Sequence, residues 1–506
     1  MISTDVGAAP VHRYLTLLGG PLLGVVLWWL LPDSYSSVTG SRVSLAPEAR
    51  ATGAVAACMA VWWMTEAIPV QITALLPLVL FPLLGIADIH TTAGSYGHEV
   101  VFLFLGGFVV ALALERWGLH TRLALNVLAR VGPRPALIIA AFMGVAAVLS
   151  MWVTNTATTL MLLPVAMSVI RLLPGDDLSD GKADEPFSLC LLLGIAYAAS
   201  IGGMGTIIGT APNVFVVSFI DEQLGRSIGF LEWMRFALPL VAVLLPLVWW
   251  VLTRWVFPLR ATYLPGAADA LAGQRNSLQP PGRGEWLTLV VFLLTAVAWV
   301  TRPLLNEWTL GNRQPLAQLT DAGIAISAAV ALFLVPVDIR CREFLMDWQT
   351  AVKLPWGLLL LFGGGLALAA AIAQSGFSAY LGSLAIGLAG WPLWAVVLAV
   401  TAVVVVLTEL TSNTATTATL VPLLLAVALA LKLPPLLLVL PATFAASCAF
   451  MLPVATPPNA IVFGSGLLSI RQMSRAGLWL NLAAIVIITA FAYAILMPLM
   501  GAGLME

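Results

Sequence analysis

The sequence predicts an all-α polytopic membrane protein with two re-entrant hairpins in an inverted structural repeat. Three observations carry this. Of the 506 residues, 60% are hydrophobic and 9% charged, with a mean hydropathy of +1.00. A soluble chain of that length needs far more charge on its surface. Apolar runs long enough to span a bilayer recur from end to end. Within them one polar hexad occurs twice: Thr154-Asn155-Thr156-Ala157-Thr158-Thr159 and Ser412-Asn413-Thr414-Ala415-Thr416-Thr417, offset by 258 residues.

Composition also excludes some roles. A net charge of −1 gives no hint of nucleic acid, so no such partner is expected. Cys58, Cys190, Cys341 and Cys448 form no Cys-x-x-Cys pair and read as free packing thiols.

The first helix covers residues 15–32, after His12 and Arg13. Trp28, Trp29 and Pro32 stand where a cleavable signal needs small residues, so the helix is retained. With its loop it makes an N-terminal segment, 1–50. The first repeat spans 51–257. Apolar segments 51–64 and 68–86 flank Thr65-Glu66, and 100–115 spans. Between Arg116 and Arg134, Arg122 and Arg130 alternate with leucines, the pattern of an interfacial helix. Segments 135–152 and 160–173 flank the first tip, 154–159. Their far ends, Arg134 and the stretch from Arg171 to Glu185, are charged, so they form a re-entrant hairpin. A broken helix, 187–224, is interrupted at Gly202–Gly205 and at Gly209–Asn213, and 236–257 spans.

Residues 258–284, with Gly, Pro and Arg, form a cytoplasmic linker. The second repeat, 285–506, restates the order. Spans lie at 286–303, 321–337 and 354–374. Arms 391–407 and 418–431 enclose the second tip, 411–417. A broken helix, 436–470, is interrupted at Pro453–Asn459, and 478–499 spans last.

The halves align residue by residue. Gly118 pairs with Gly376 and Asn155 with Asn413 at an offset of 258; Asn213 pairs with Asn459 at 246. The lost twelve residues fall between hairpin and broken helix, where the first half carries the acidic loop 174–186. Most of the 23 Lys and Arg fall on one side if the N-terminus is cytoplasmic. These are Arg13, those from Arg116 to Lys182, from Arg254 to Arg283 and from Arg340 to Lys353, and Arg471 with Arg475. An odd number of crossings per half then sets the halves in opposite senses, the plan of secondary transporters.

A hairpin tip at membrane depth brings a helix C-terminus, with free carbonyls, against a helix N-terminus, with free N–H groups. Cations favour the first and carboxylates the second. Asn, Ser and Thr cap such ends, and their oxygens are ligands for a small hard cation. Two tips and two broken helices thus make two cation sites around one anion site, with no basic residue in the tips. Competing readings are specific. A single Ser/Thr-rich segment is commonly a helix contact. An intramembrane enzyme needs a nucleophile with a base, and His12, His90, His98 and His120 all lie near segment ends or loops. A channel would lack saturable counterflow. Glu66 and Glu115 sit near segment ends and read as solvated. Glu409, four residues before Asn413, is the acidic residue to watch as a proton carrier.

At these residues the chain resembles the divalent anion/sodium symporter family, which includes bacterial dicarboxylate transporters and animal sodium-coupled citrate, dicarboxylate and sulfate cotransporters. The resemblance covers nearly the whole chain. It rests on the paired tips and on the stretch Ser447-Cys448-Ala449-Phe450-Met451-Leu452-Pro453-Val454-Ala455-Thr456-Pro457-Pro458-Asn459-Ala460-Ile461-Val462. It implies about eleven transmembrane helices, a homodimer through scaffold helices, and elevator-type motion of a transport domain. It implies at least two sodium ions as coupling ions and no organic cofactor. One sodium would use Ser150, Thr154, Asn155 and Gly209; the other Thr408, Thr411, Asn413 and Ala455. The substrate carboxylates would meet Asn155, Thr156, Ser412, Asn413, Thr414, Thr456 and Pro457. Thr154 departs from the family's usual Ser by one methyl, and Ala211 stands where its repeat partner is Pro457. The expected function is sodium-coupled symport of a C4-dicarboxylate such as succinate across the inner membrane. The alternative on the same fold is a sodium-independent exchanger or a sulfate or citrate carrier.

Overall fold

The computed structural model describes residues 10–36, 41–171, 186–259, 263–310, 312–388 and 390–498. The acidic loop proposed as the repeat's insertion lies almost wholly outside them.

The chain opens with α1 (Pro10–Leu30), a two-stranded ribbon of β1 (Ser34–Ser36) and β2 (Arg42–Ser44), and α2 (Pro47–Thr65), which packs along α1. The segment expected at 68–86 is not one helix. Prolines divide it into α3 (Val70–Thr73) and α4 (Leu76–Leu83). Then come α5 (Ile89–Gly94), α6 (Glu99–Arg116) and the amphipathic α7 (Leu119–Leu128). The first hairpin is α8 (Pro135–Ser150) and α9 (Asn155–Ile170), and the first broken helix is α10 (Pro186–Gly203) and α11 (Ala211–Leu224). Next, α12 (Phe230–Trp250) runs into a π-helical turn, Val251–Val256. The linker is not bare coil: α13 (Ala267–Asn276) buries Ala267 and Leu271, and Gln274 Nε2 donates to Ser168 Oγ at 2.6 Å.

The second half contains α14 (Arg283–Glu307), α15 (Asp321–Leu334), a ribbon of β3 (Pro336–Asp338) and β4 (Glu343–Phe344), α16 (Trp348–Ala351), α17 (Trp356–Gln374) and α18 (Phe377–Leu384). Its hairpin is α19 (Leu393–Thr408) and α20 (Asn413–Ala430). Its broken helix is α21 (Leu436–Ala446) and α22 (Pro457–Phe463). It closes on α23 (Ile470–Phe491), which also ends in a π-helical turn, Ala492–Leu496. Among the described residues seven helices are long and apolar enough to cross a membrane, and both hairpins include shorter apolar arms.

Helices of similar apolar composition do not gain from hiding in each other rather than in lipid, so close packing decides their arrangement. Gly106 of α6 lies on the backbone of Ala325 in α15, and Gly202 of α10 on that of Ala147 in α8. The broken helices form the centre: 94% of the apolar window in α10 is buried, against 17% in α14 at the rim. The duplication is visible in packing, since α9 lies on α22 while α20 lies on α11. It is visible in backbone too. Gly118 and Gly376, repeat partners, precede α7 and α18 with φ of +66° and +83°, a conformation that other residues adopt only with strain.

Candidate functional site

Both tips fold by the same rule. Thr154 Oγ1 accepts from Ala157 N at 3.2 Å, and Ser412 Oγ from Ala415 N at 3.2 Å. These are N-caps, so Asn155 and Asn413 are the first helical residues. The polar hexads are therefore first turns of helices, and the bends lie earlier, at 151–154 and 409–412. One turn on, Thr159 and Thr417 each donate to the carbonyls of Asn155 and Asn413 at 2.8 Å.

Behind each tip the last residue of the preceding arm holds the asparagine. Ser150 Oγ donates to Asn155 Oδ1, and Thr408 Oγ1 contacts Asn413 Oδ1 at 2.8 Å. Ser150 and Thr408 are fully buried. Each broken helix is pinned by its own asparagine. Asn213 Nδ2 donates to the carbonyls of Gly203 and Thr206 at 3.0 and 2.8 Å; Asn459 Nδ2 donates to those of Ala449 and Leu452 at 3.0 and 3.1 Å. All three pairs obey the 246-residue offset. Thr210 and Thr456 share the same extended backbone, φ −148° and −145°. Tyr197 Oη ties α10 to the second break by donating to Phe450 O at 2.7 Å.

The elements meet at a cavity of about 570 Å³. All seven residues expected at the substrate line it: Asn155, Thr156, Ser412, Asn413, Thr414, Thr456 and Pro457. Of the residues expected at the cations, Thr154, Asn155, Gly209, Asn413 and Ala455 also line it, with Ser150 and Thr408 directly behind. Gly209 belongs with Asn155: a methyl built on Gly203 would stand 2.6 Å from Asn155 Oδ1 and 3.1 Å from Gly209 O. Thr411 fits less well, because its hydroxyl is turned to Thr416 Oγ1 and donates to Leu407 O at 3.0 Å. Hydroxyl, amide and carbonyl oxygens suit a small hard cation. The N-termini of α9, α20 and α11 all open on the same space, offering N–H groups and partial positive charge to an anion.

Sequence reasoning missed part of the wall. Glu66, Glu115 and Lys353 line the cavity, where the two glutamates read as solvated and Lys353 drew no notice. They stand at the ends of α2 and α6 and just before α17, far apart in the chain, and no local pattern joins them. Thr210 lines it as well, and its partnership with Thr456 was a usable signal. The bends differ in their surroundings. Trp152 packs among Phe230, Phe292 and Trp299, with centroids 5.8, 5.0 and 6.5 Å away, whereas its repeat partner Leu410 is 67% exposed.

This fold and site define a polytopic membrane transport protein. A family model described as the sodium:sulfate symporter transmembrane region matches residues 38–501. The chain is 39% identical over 497 residues to the sodium-dependent dicarboxylate transporter of Staphylococcus saprophyticus, covering 97% of this chain and 93% of that one. It is 39% identical over 454 residues to the sodium-dependent dicarboxylate transporter of Staphylococcus aureus strain MRSA252, covering 88% and 86%. Two solved transporters, each 12% identical, share the fold. The Alcanivorax borkumensis YdaH transporter has a TM-score of 0.56 over 95% of this chain and 97% of its own. Neisseria gonorrhoeae MtrF has 0.60 over 97% and 96%. The chain belongs to the sodium:sulfate symporter transmembrane family, a family of transporters and not of enzymes. It is an integral membrane protein.

Proposed function

We propose that this protein is a secondary active transporter that couples the movement of at least two sodium ions to that of a C4-dicarboxylate such as succinate. One observation carries the reading: both duplicated tips and both helix breaks converge on one cavity. Oxygen ligands behind the tips suit the cations, and helix N-termini facing the cavity suit the carboxylates. The 39% identity to sodium-dependent dicarboxylate transporters supports the choice of ion and substrate. The first cation is assigned to Ser150, Thr154, Asn155 and Gly209. The second is assigned to Thr408, Asn413, Ala455 and the main chain of Thr411. The halves are taken as an inverted repeat of eleven crossings with the N-terminus cytoplasmic. Hairpins and broken helices then form an elevator-type transport domain within a homodimer. In that orientation the cavity reaches the cytoplasmic face, since its wall includes Glu66, Glu115 and Lys353.

Purified protein in liposomes tests the coupling. Succinate uptake should follow an imposed inward sodium gradient and fall to background when choline replaces sodium; equal uptake in both would favour the exchanger. Charge predicts selectivity. One lysine against two glutamates on the wall leaves no surplus positive side chain for a third carboxylate. Succinate should therefore outcompete the citrate trianion. Inhibition that strengthens as rising pH completes the ionisation of citrate would contradict this.

A further inference from the structure

The end of α12 carries Trp249 and Trp250, and its π-helical turn carries Arg254 and Trp255. Trp249 points into the protein, where its Nε1 donates to Ala136 O at 2.9 Å. Trp250 and Trp255 are 49% and 56% exposed, and their rings stack with centroids 6.5 Å apart. Five residues separate them. In an α-helix that spacing sends side chains to different faces, but a π-turn repeats from i to i+5 and brings them together. Phe257 N donates to Leu252 O at 3.0 Å, the i to i+5 bond of that turn. Helix α23 packs against the turn, and its Trp479, 46% exposed, meets the Trp255 ring edge-on at 5.9 Å.

Arginines share this surface. Arg254 precedes Trp255 in the turn. On α23, Arg471, Arg475 and Trp479 follow at intervals of four and so form one stripe. All three arginines are exposed, and none makes a hydrogen bond or an ion pair among the described residues. Stretches 250–257 and 470–480 contain no acidic residue. The indole N–H groups of Trp250, Trp255 and Trp479 also have no acceptor among the described residues. Elsewhere Trp117, Trp233 and Trp299 each donate to a main-chain carbonyl, as indoles in a protein usually do.

We propose that this surface binds the headgroup of an anionic phospholipid. Both helices are long and apolar enough to cross the membrane, and the cluster sits where α12 ends and α23 begins. That is headgroup depth, the place for a ring with an apolar body and a polar N–H. A guanidinium grips a phosphate through two parallel hydrogen bonds, and the indoles can donate to its remaining oxygens or to the acyl esters. Charge selects the lipid. Three unpaired arginines favour a headgroup with a net negative charge and disfavour one whose phosphate is accompanied by a choline cation. The rings select a lipid over free phosphate, since only acyl chains can cover them. A bound lipid would clip α12 of the first repeat to α23 of the second.

Purified full-length protein in a neutral detergent, melted at rising concentrations of dioctanoyl phosphatidylglycerol, tests this. The lipid should raise the melting temperature of wild type to a plateau. Dioctanoyl phosphatidylcholine and inorganic phosphate at the same concentrations should not. An arginine beside an anionic headgroup is worth a factor of about five in affinity, so Arg475→Gln should raise the half-saturating concentration about fivefold, and the triple variant Arg254→Gln, Arg471→Gln, Arg475→Gln about a hundredfold. Removing as many exposed charges elsewhere, with Arg313→Gln, Arg340→Gln and Arg342→Gln, should leave it nearly unchanged. Three results would overturn the proposal: no stabilisation by phosphatidylglycerol, equal stabilisation by phosphatidylcholine or phosphate, or equal losses in the two triple variants. Should the first triple variant fail to fold, wild-type lipid dependence in Arg475→Gln would overturn it as well.

Discussion

Asn155→Ala and Asn413→Ala should each abolish most sodium-coupled binding of succinate, by about tenfold to a hundredfold in affinity. The magnitude follows from hydrogen bonds to charged groups, each about 1.5–3 kcal/mol. Each amide stands at the first residue of a helix, lines the cavity and is held from behind by a buried hydroxyl, Ser150 or Thr408. On the proposed assignment the amide oxygen serves the cation and the amide N–H the carboxylate, so one truncation would remove both contacts. Asn→Asp keeps an oxygen but sets a negative charge before a dianion, and should fail too. The measurement is succinate-dependent thermal stabilisation at several sodium concentrations. Packing elements would give a different result: lower melting temperature, with wild-type affinity and sodium dependence in the folded fraction.

The centre of this molecule was legible because it was written twice. Pairs such as Asn155 with Asn413 and Asn213 with Asn459 carry the same hydrogen bonds in both halves, so sequence identity between halves stood in for geometry. The bends were placed too late, since the hexads looked like loop. A hydroxyl residue before Asn is also an N-cap, and the structure starts α9 and α20 there. The linker helix α13 escaped because its stretch is polar and it gains order by docking, through Leu271 and the bond from Gln274 to Ser168. Glu66, Glu115 and Lys353 escaped because a cavity wall is assembled from distant segments. Glu409 drew attention as an acidic residue close to the second tip, but the N–H groups of 450–452 that it accepts from could not be read from sequence, because they are freed by α21 ending early.

Gly203→Ala should disable the first cation site while leaving the second intact, although the second half already carries alanine at the equivalent place, Ala449. The two positions share a repeat register but not a local conformation. Ala449 lies beyond the end of α21, whereas Gly203 is still within α10. From that helix a methyl would point at Asn155 Oδ1, 2.6 Å away, and crowd Gly209 O at 3.1 Å. Both atoms are candidate ligands of the same cation, and Gly209 O belongs to the main chain and yields little. Displacing Asn155 should cost about 1.5 kcal/mol or more, a loss of about tenfold in sodium affinity. The added methyl meets the tip rather than the lipid, so the fold should survive. Sodium titrations of Gly203→Ala and the double variant with Asn155→Ala decide the matter. If the methyl acts by moving Asn155, the double variant should be no worse than Asn155→Ala alone. Independent, multiplying losses would place the harm elsewhere in α10.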